Sequence, residues 1–259
     1  MSSQYCLDIA CLESDALQRL FNETTSYIQD IRIEVVSDHG SRWNFEKHPA
    51  TTFGLTFRAP TIRIVNSLDK GQRIEAIGHE LAHLLLVYRY GLGVIDRRIP
   101  RHGDSKDVFR FYMSMRGDWV FLLGQIANTV HHLVLVNHLK KEYGIESRLH
   151  LHLLHHNFGV VANDHSRDKE SLYAKGLIAF EYERLIGRDD RVMNILHQAE
   201  SFWEAYYSAQ KYFGGYSFQS IPTPNGYEDD ILSFLQNLGY PREDFVFFPK
   251  GKQDFCSNI

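Results

Sequence analysis

His79, Glu80 and His83 have the residue types and the spacing of a metal-assisted hydrolytic site, reading H-E-L-A-H in the order H-E-x-x-H. On a helix, residues four apart lie on one face with Cβ atoms about 5–6 Å apart, so two imidazoles can converge on a single tetrahedral ion. Glu80 is turned about 100° from His79. It therefore does not compete for the metal and can take a proton from a water activated beside it. Zinc suits such imidazole donors, and the chemistry implied is hydrolysis.

The motif works only on a helix, and the surrounding residues predict one. Asn66-Ser67-Leu68-Asp69 supplies N-cap residues, the stretch Lys70–Tyr90 carries Ile74, Ile77, Leu81, Leu84 and Leu85 at helical spacing, and Gly91 and Gly93 end it. The apolar stripe is expected to point into the core, away from His79 and His83, with Ala76 and Ala82 keeping the helix slim.

A catalytic zinc held by two histidines needs a third protein ligand, commonly from a later helix. The run Gln125-Ile126-Ala127-Asn128-Thr129-Val130-His131-His132 lies in a helix expected from about Asp118 to Tyr143, ending at Gly144. Adjacent residues cannot face the same way on a helix, so His131 and His132 are alternatives, and the apolar phase does not choose between them. In the run Arg148-Leu149-His150-Leu151-His152, the alternation resembles a strand and puts His150 and His152 on one face. These histidines either border a cleft, where one could donate to an oxyanion, or are ordinary structural or exposed residues. Glu181 and Glu183 offer an alternative third ligand, a solvated helix face being the commoner explanation for such carboxylates. The aromatic cluster from Phe202 to Tyr216 is expected to pack a core, with a carbohydrate or peptide platform as the alternative.

The elements around the motif come in two textures. An amphipathic helix is expected from Asp8 to about Gln29, followed by strand-like runs IRIEVVS, WNFEK, TTFGLTFR and TIRIV, which form a small sheet over about 31–66. The segment GLGVIDRRIPRHGDSKD reads as a loop. From about 166 to 259 the chain reads as helices. No internal repeat or linker divides it, so a single α+β domain, helix-rich with a small N-terminal sheet, is predicted.

Composition sets the outer bounds. The 259 residues are 44% hydrophobic and 23% charged, ordinary usage for a chain that folds around a core. A net charge of -4 supplies no basic field for nucleic acid. The cysteines Cys6, Cys11 and Cys256 are odd in number, with no C-x-x-C spacing, so neither a disulfide framework nor a thiolate zinc site is expected. The N-terminus lacks the pattern of a secretory signal, and the apolar runs are shorter than the roughly 20 residues of a membrane span, so a cytoplasmic, soluble protein is expected.

The stretch TIRIVNSLDKGQRIEAIGHELAHLLL, Thr61 to Leu86, resembles the zincin superfamily of H-E-x-x-H metallopeptidases and is gluzincin-like in its short motif. The longer H-E-x-x-H-x-x-G-x-x-H spacing is absent, since LLLVYRYG follows His83. The resemblance implies a zincin-like fold, a Zn2+ cofactor and a protein or peptide substrate. It also implies that Thr61–Val65 is the edge strand on which an extended substrate adds by main-chain hydrogen bonds. In several zincin groups the second helix carries an Asn four residues before a metal-binding His or Asp. That pattern selects His132 as third ligand, with His131 as the alternative and Asn128 in support. A zinc-containing binding or regulatory module without activity, and a zinc hydrolase of a non-peptide amide or ester, are the competing expectations.

Overall fold

The computed structural model describes residues 4–6, 12, 14–28, 30–36, 50–53, 60–97, 118–163, 168–188, 190–197 and 199–248. The expected strand WNFEK and the latter half of TTFGLTFR lie outside these residues. The architecture is helix-rich with a small sheet, and contacts cluster into two units: residues 1–92 with 134–153, and residues 93–133 with 154–259.

The first unit holds a four-stranded sheet formed by β1 (Gln4–Cys6), β2 (Arg32–Val36), β3 (Ala50–Phe53) and β4 (Thr61–Val65), in the order β1-β2-β4-β3. β2 and β4 run parallel, with Ile33 opposite Ile62 and Val35 opposite Ile64, while β3 is antiparallel to β4, with Thr52 opposite Ile62. The edge strand on this side is therefore β3, which corrects the assignment of that role to Thr61–Val65. β4 is interior because it pairs with β2 on one side and β3 on the other, and its burial alternates, with Ile62 and Ile64 buried on one face and Arg63 only partly buried on the other.

The opening helix α1 is shorter than expected, spanning Asp15–Thr25 from an N-cap at Ser14, whose hydroxyl accepts from Leu17 N. It packs beside α2 (Lys70–Tyr88), whose start is set by a reciprocal capping box. Asp69 accepts from Gln72 N at 2.8 Å, and the Gln72 side chain accepts from Asp69 N at 3.0 Å. At the other end Leu92 N bonds back to Leu86 O, and Gly91 supplies the φ of 71° that this closure demands. Much of α2 is buried: Ala76–Gly78 and Leu81–Val87 are all covered, while Lys70–Gln72 are exposed.

α3 (Asp118–His138) runs on through a π-helical turn, Leu139–Tyr143, to a left-handed Gly144, as its spacing predicts. The segment Trp119–Tyr143 is long and apolar enough to cross a membrane by length and composition, and 61% of its apolar 18-residue window is buried inside the protein. α4 (Arg148–Asn163) follows. It replaces the strand expected around His150 and His152, because Leu151, Leu154 and Phe158 recur at helical spacing, with Leu154 and Phe158 buried. The boundary between the units falls within α3 and α4.

The second unit contains α5 (Lys169–Leu185), α6 (Asp190–Leu196), α7 (Glu200–Phe213) and α8 (Pro224–Asn237). Two strands that the sequence analysis missed also lie here: β5 (Val94–Arg97), inside the expected loop, pairs antiparallel with β6 (Phe245–Phe248), inside the expected helical region. The aromatic and β-branched run Phe245-Val246-Phe247-Phe248 favours a strand, and its four residues are too few to show a period. Phe202, Tyr206, Phe213 and Tyr216 pack in the core of this unit. Trp203 and Tyr207 stack with centroids 5.1 Å apart beside an open groove bordered by Glu204 and Lys211.

Candidate metal centre

In the first unit, the α2 backbone brings the rings of His79 and His83 together. Their Nε2 atoms are 3.1 Å apart and their centroids 4.8 Å apart, with planes at 74°. Two nitrogens bound at about 2.0–2.1 Å to one tetrahedral ion stand about 3.3–3.4 Å apart. The observed separation therefore matches, within a few tenths of an ångström, what a shared ion requires. His83 is buried and His79 half-buried.

Two contacts fix this helix beside its neighbours. Gly78 abuts Ile145 so closely that a Cβ there would lie 3.2 Å from two of its side-chain carbons. Glu75, on the same helix, accepts from Leu149 N at 2.7 Å and so satisfies one of the open donors in the first turn of α4. The next residue, His150, then stacks on His79 with centroids 4.7 Å apart and planes at 26°. His152 is exposed, and the helix places it about 200° from His150. The sharing of one face by His150 and His152 does not hold.

Glu80 is tied to the edge strand. The Thr52 hydroxyl donates to Glu80 Oε2 at 2.6 Å, across 28 residues of chain. Sequence reasoning missed Thr52, because a single threonine in a strand carries no signal of a contact made through tertiary folding.

In the second unit, α3 presents Gln125, Thr129 and His132 at i, i+4 and i+7, which share one face of a helix. His132 Nδ1 lies 2.7 Å from Glu181 Oε1, while Glu181 Oε2 accepts from Thr129 Oγ1 and from Gln125 Nε2, each at 2.9 Å. Glu181 is 1% exposed and Thr129 fully buried, which excludes the solvated-face explanation for this glutamate. A buried carboxylate is tolerated where hydrogen bonds replace its hydration. Glu183, two residues on, instead accepts from the Tyr206 hydroxyl at 2.6 Å.

His131 faces another way and stacks on Tyr227 with centroids 6.2 Å apart. Asn128, expected to support the site, is on the exposed side of α3. Within this unit the polar groups linked to His132 include Glu181, Thr129 and Gln125. The signal that could have found them was the polar i, i+4, i+7 series on an otherwise apolar helix, together with a glutamate inside the apolar run Gly176–Tyr182.

Comparison with protein-family models, curated proteins and solved structures finds no match for this chain.

Proposed function

We propose that this chain is a zinc-dependent metallopeptidase with a zincin-like fold, in which His79, His83 and His132 hold the metal and Glu80 is the general base. The observation that carries the reading is the convergence of the His79 and His83 Nε2 atoms to 3.1 Å, with a carboxylate-bearing residue between them in sequence. It is supported by the donor type, since neutral imidazoles are ordinary ligands of zinc. Three neutral imidazoles leave a fourth position open, as catalytic zinc sites do. A zinc ion held there would supply Lewis acidity and lower the pKa of bound water towards about 7.

The chain's own residues do the rest. Glu80 accepts a proton from the attacking water and returns it to the leaving amine. Thr52 holds Oε2 of that carboxylate. β3, with its outer edge available among the described strands, is the place for an extended peptide to add by main-chain hydrogen bonds.

The test is Glu80→Gln in zinc-loaded protein, with metal content measured by mass spectrometry and turnover measured on a peptide library. The variant is expected to keep its zinc and lose turnover by about 10²–10⁴-fold; full activity removes Glu80 from the mechanism. A wild-type protein that binds zinc, cleaves no peptide and stays folded and unchanged after chelation is a binding or regulatory module. Cleavage confined to small amides or esters keeps the centre and changes the substrate class.

A further inference from the structure

We infer that Glu181 is a positioning residue that fixes the ring and tautomer of His132, and that it is not itself a metal ligand. This rests on the proposed role of His132 in the metal centre. Glu181 has the chemistry of a ligand, since a carboxylate oxygen can bind zinc. Its hydrogen bonds assign it the other role.

Both of its oxygens are engaged within the second unit. Oε2 accepts from the Thr129 hydroxyl and from the Gln125 amide nitrogen, each at 2.9 Å. The Thr129 hydroxyl also accepts from that amide at 3.0 Å, so its single hydrogen is directed at Glu181. Two donors on Oε2 mark the carboxyl as an acceptor. With Glu181 ionised, and so an acceptor only, the 2.7 Å contact at Oε1 is a hydrogen bond donated by His132 Nδ1. With the proton on Nδ1, the lone pair of the neutral ring sits on Nε2, and Nε2 is the atom His132 would offer to a metal.

A metal drawn to Glu181 would compete with these partners for its oxygens. A buried donor left without an acceptor is destabilising, and Thr129 is fully buried. Because Gln125, Thr129 and His132 lie along one face of α3, the helix that carries the proposed ligand also carries the groups that lock its anchor.

The experiment uses full-length protein in two states. In metal-free protein labelled with ¹⁵N-histidine, long-range ¹H–¹⁵N correlation reads the His132 tautomer, its signals assigned by their loss in His132→Gln. The wild type is expected to show the Nδ1–H form, and an Nε2–H form there overturns the inference. Zinc titration then compares wild type with Glu181→Gln, checked for fold by circular dichroism, and with Thr129→Val should Glu181→Gln fail to fold. A rise in Kd of about 10–100-fold in Glu181→Gln, with one zinc still bound at saturation, is expected; for Thr129→Val a smaller rise is expected. An unchanged Kd in a wild type that binds zinc overturns this inference alone. So does total loss of the site in Glu181→Gln, matching that in His132→Ala, because it makes Glu181 a ligand. A wild type that binds no zinc overturns the metal reading, and with it the positioning role, even where the tautomer is as expected.

Discussion

Thr52 and Glu80 are joined by a 2.6 Å hydrogen bond from the threonine hydroxyl to carboxylate Oε2, so the edge strand of the sheet holds the proposed base on the neighbouring helix. A strand is stiffer than a surface loop, and a carboxylate oxygen fixed from that side has fewer ways to turn from a reacting water. Thr52→Val keeps the shape of the residue and removes the donor. It is expected to lower kcat by about tenfold, the equivalent of one hydrogen bond to a charged group, with bound zinc unchanged, whereas Thr52→Ser restores the rate. Equal kcat in Thr52→Val and wild type removes Thr52 from the positioning of Glu80.

His138, in the last turn of α3, sets a pH limit on stability. Burial pushes its pKa below the usual 6.5, the Arg89 guanidinium adds to this, and Glu142 partly opposes it. The ring packs edge-on against Tyr143 and Tyr90 at centroid distances of 5.5 and 6.3 Å. Because the folded-state pKa is depressed, the unfolded chain binds the proton first as pH falls. The stability contribution is thus complete above about pH 6.5 and is lost progressively below it, down to the folded-state pKa, at no more than about 1.4 kcal/mol per pH unit. Urea denaturation at pH 7.5, 6.0 and 5.0 should show this slope in wild type and a shallower one in His138→Phe. Equal slopes would rule out His138 as its source.

Gly176 marks the closest approach of α5 and α7. A Cβ there would lie 2.7 Å from the Phe202 carbonyl oxygen and 2.8 Å from the Ala205 Cβ. Alanine favours an isolated helix over glycine by about 1 kcal/mol, but at this crossing the backbone must shift. Gly176→Ala is therefore expected to destabilise the protein by about 1–3 kcal/mol, read as a lower urea midpoint. A raised midpoint would mean that the two helices separate freely.

Much of the local structure was legible in the residues. Asp69 and Gln72 set the start of α2, and Gly91 and Gly144 set helix ends, because capping and left-handed backbone are decided within a few residues. The H-E-x-x-H spacing by itself dictates that His79 and His83 share a face, since the helical repeat allows nothing else. Short strands were less legible. β5 and β6 have four residues each, too few to display a period, and each forms only because the other pairs with it across about 150 residues.

What the sequence determined by itself is therefore the pair of imidazoles, the acid between them and the helix that carries all three, because each depends on contacts within one or two turns. Tertiary structure alone decided which strand lies at the sheet edge, that Thr52 reaches Glu80, that His132 and not His131 meets Glu181, and that Glu181 is buried. Those relationships join residues 28 and 49 positions apart. Local periodicity carries no information about them, since they are settled by which apolar faces pack together and by the need of each buried polar group for a partner.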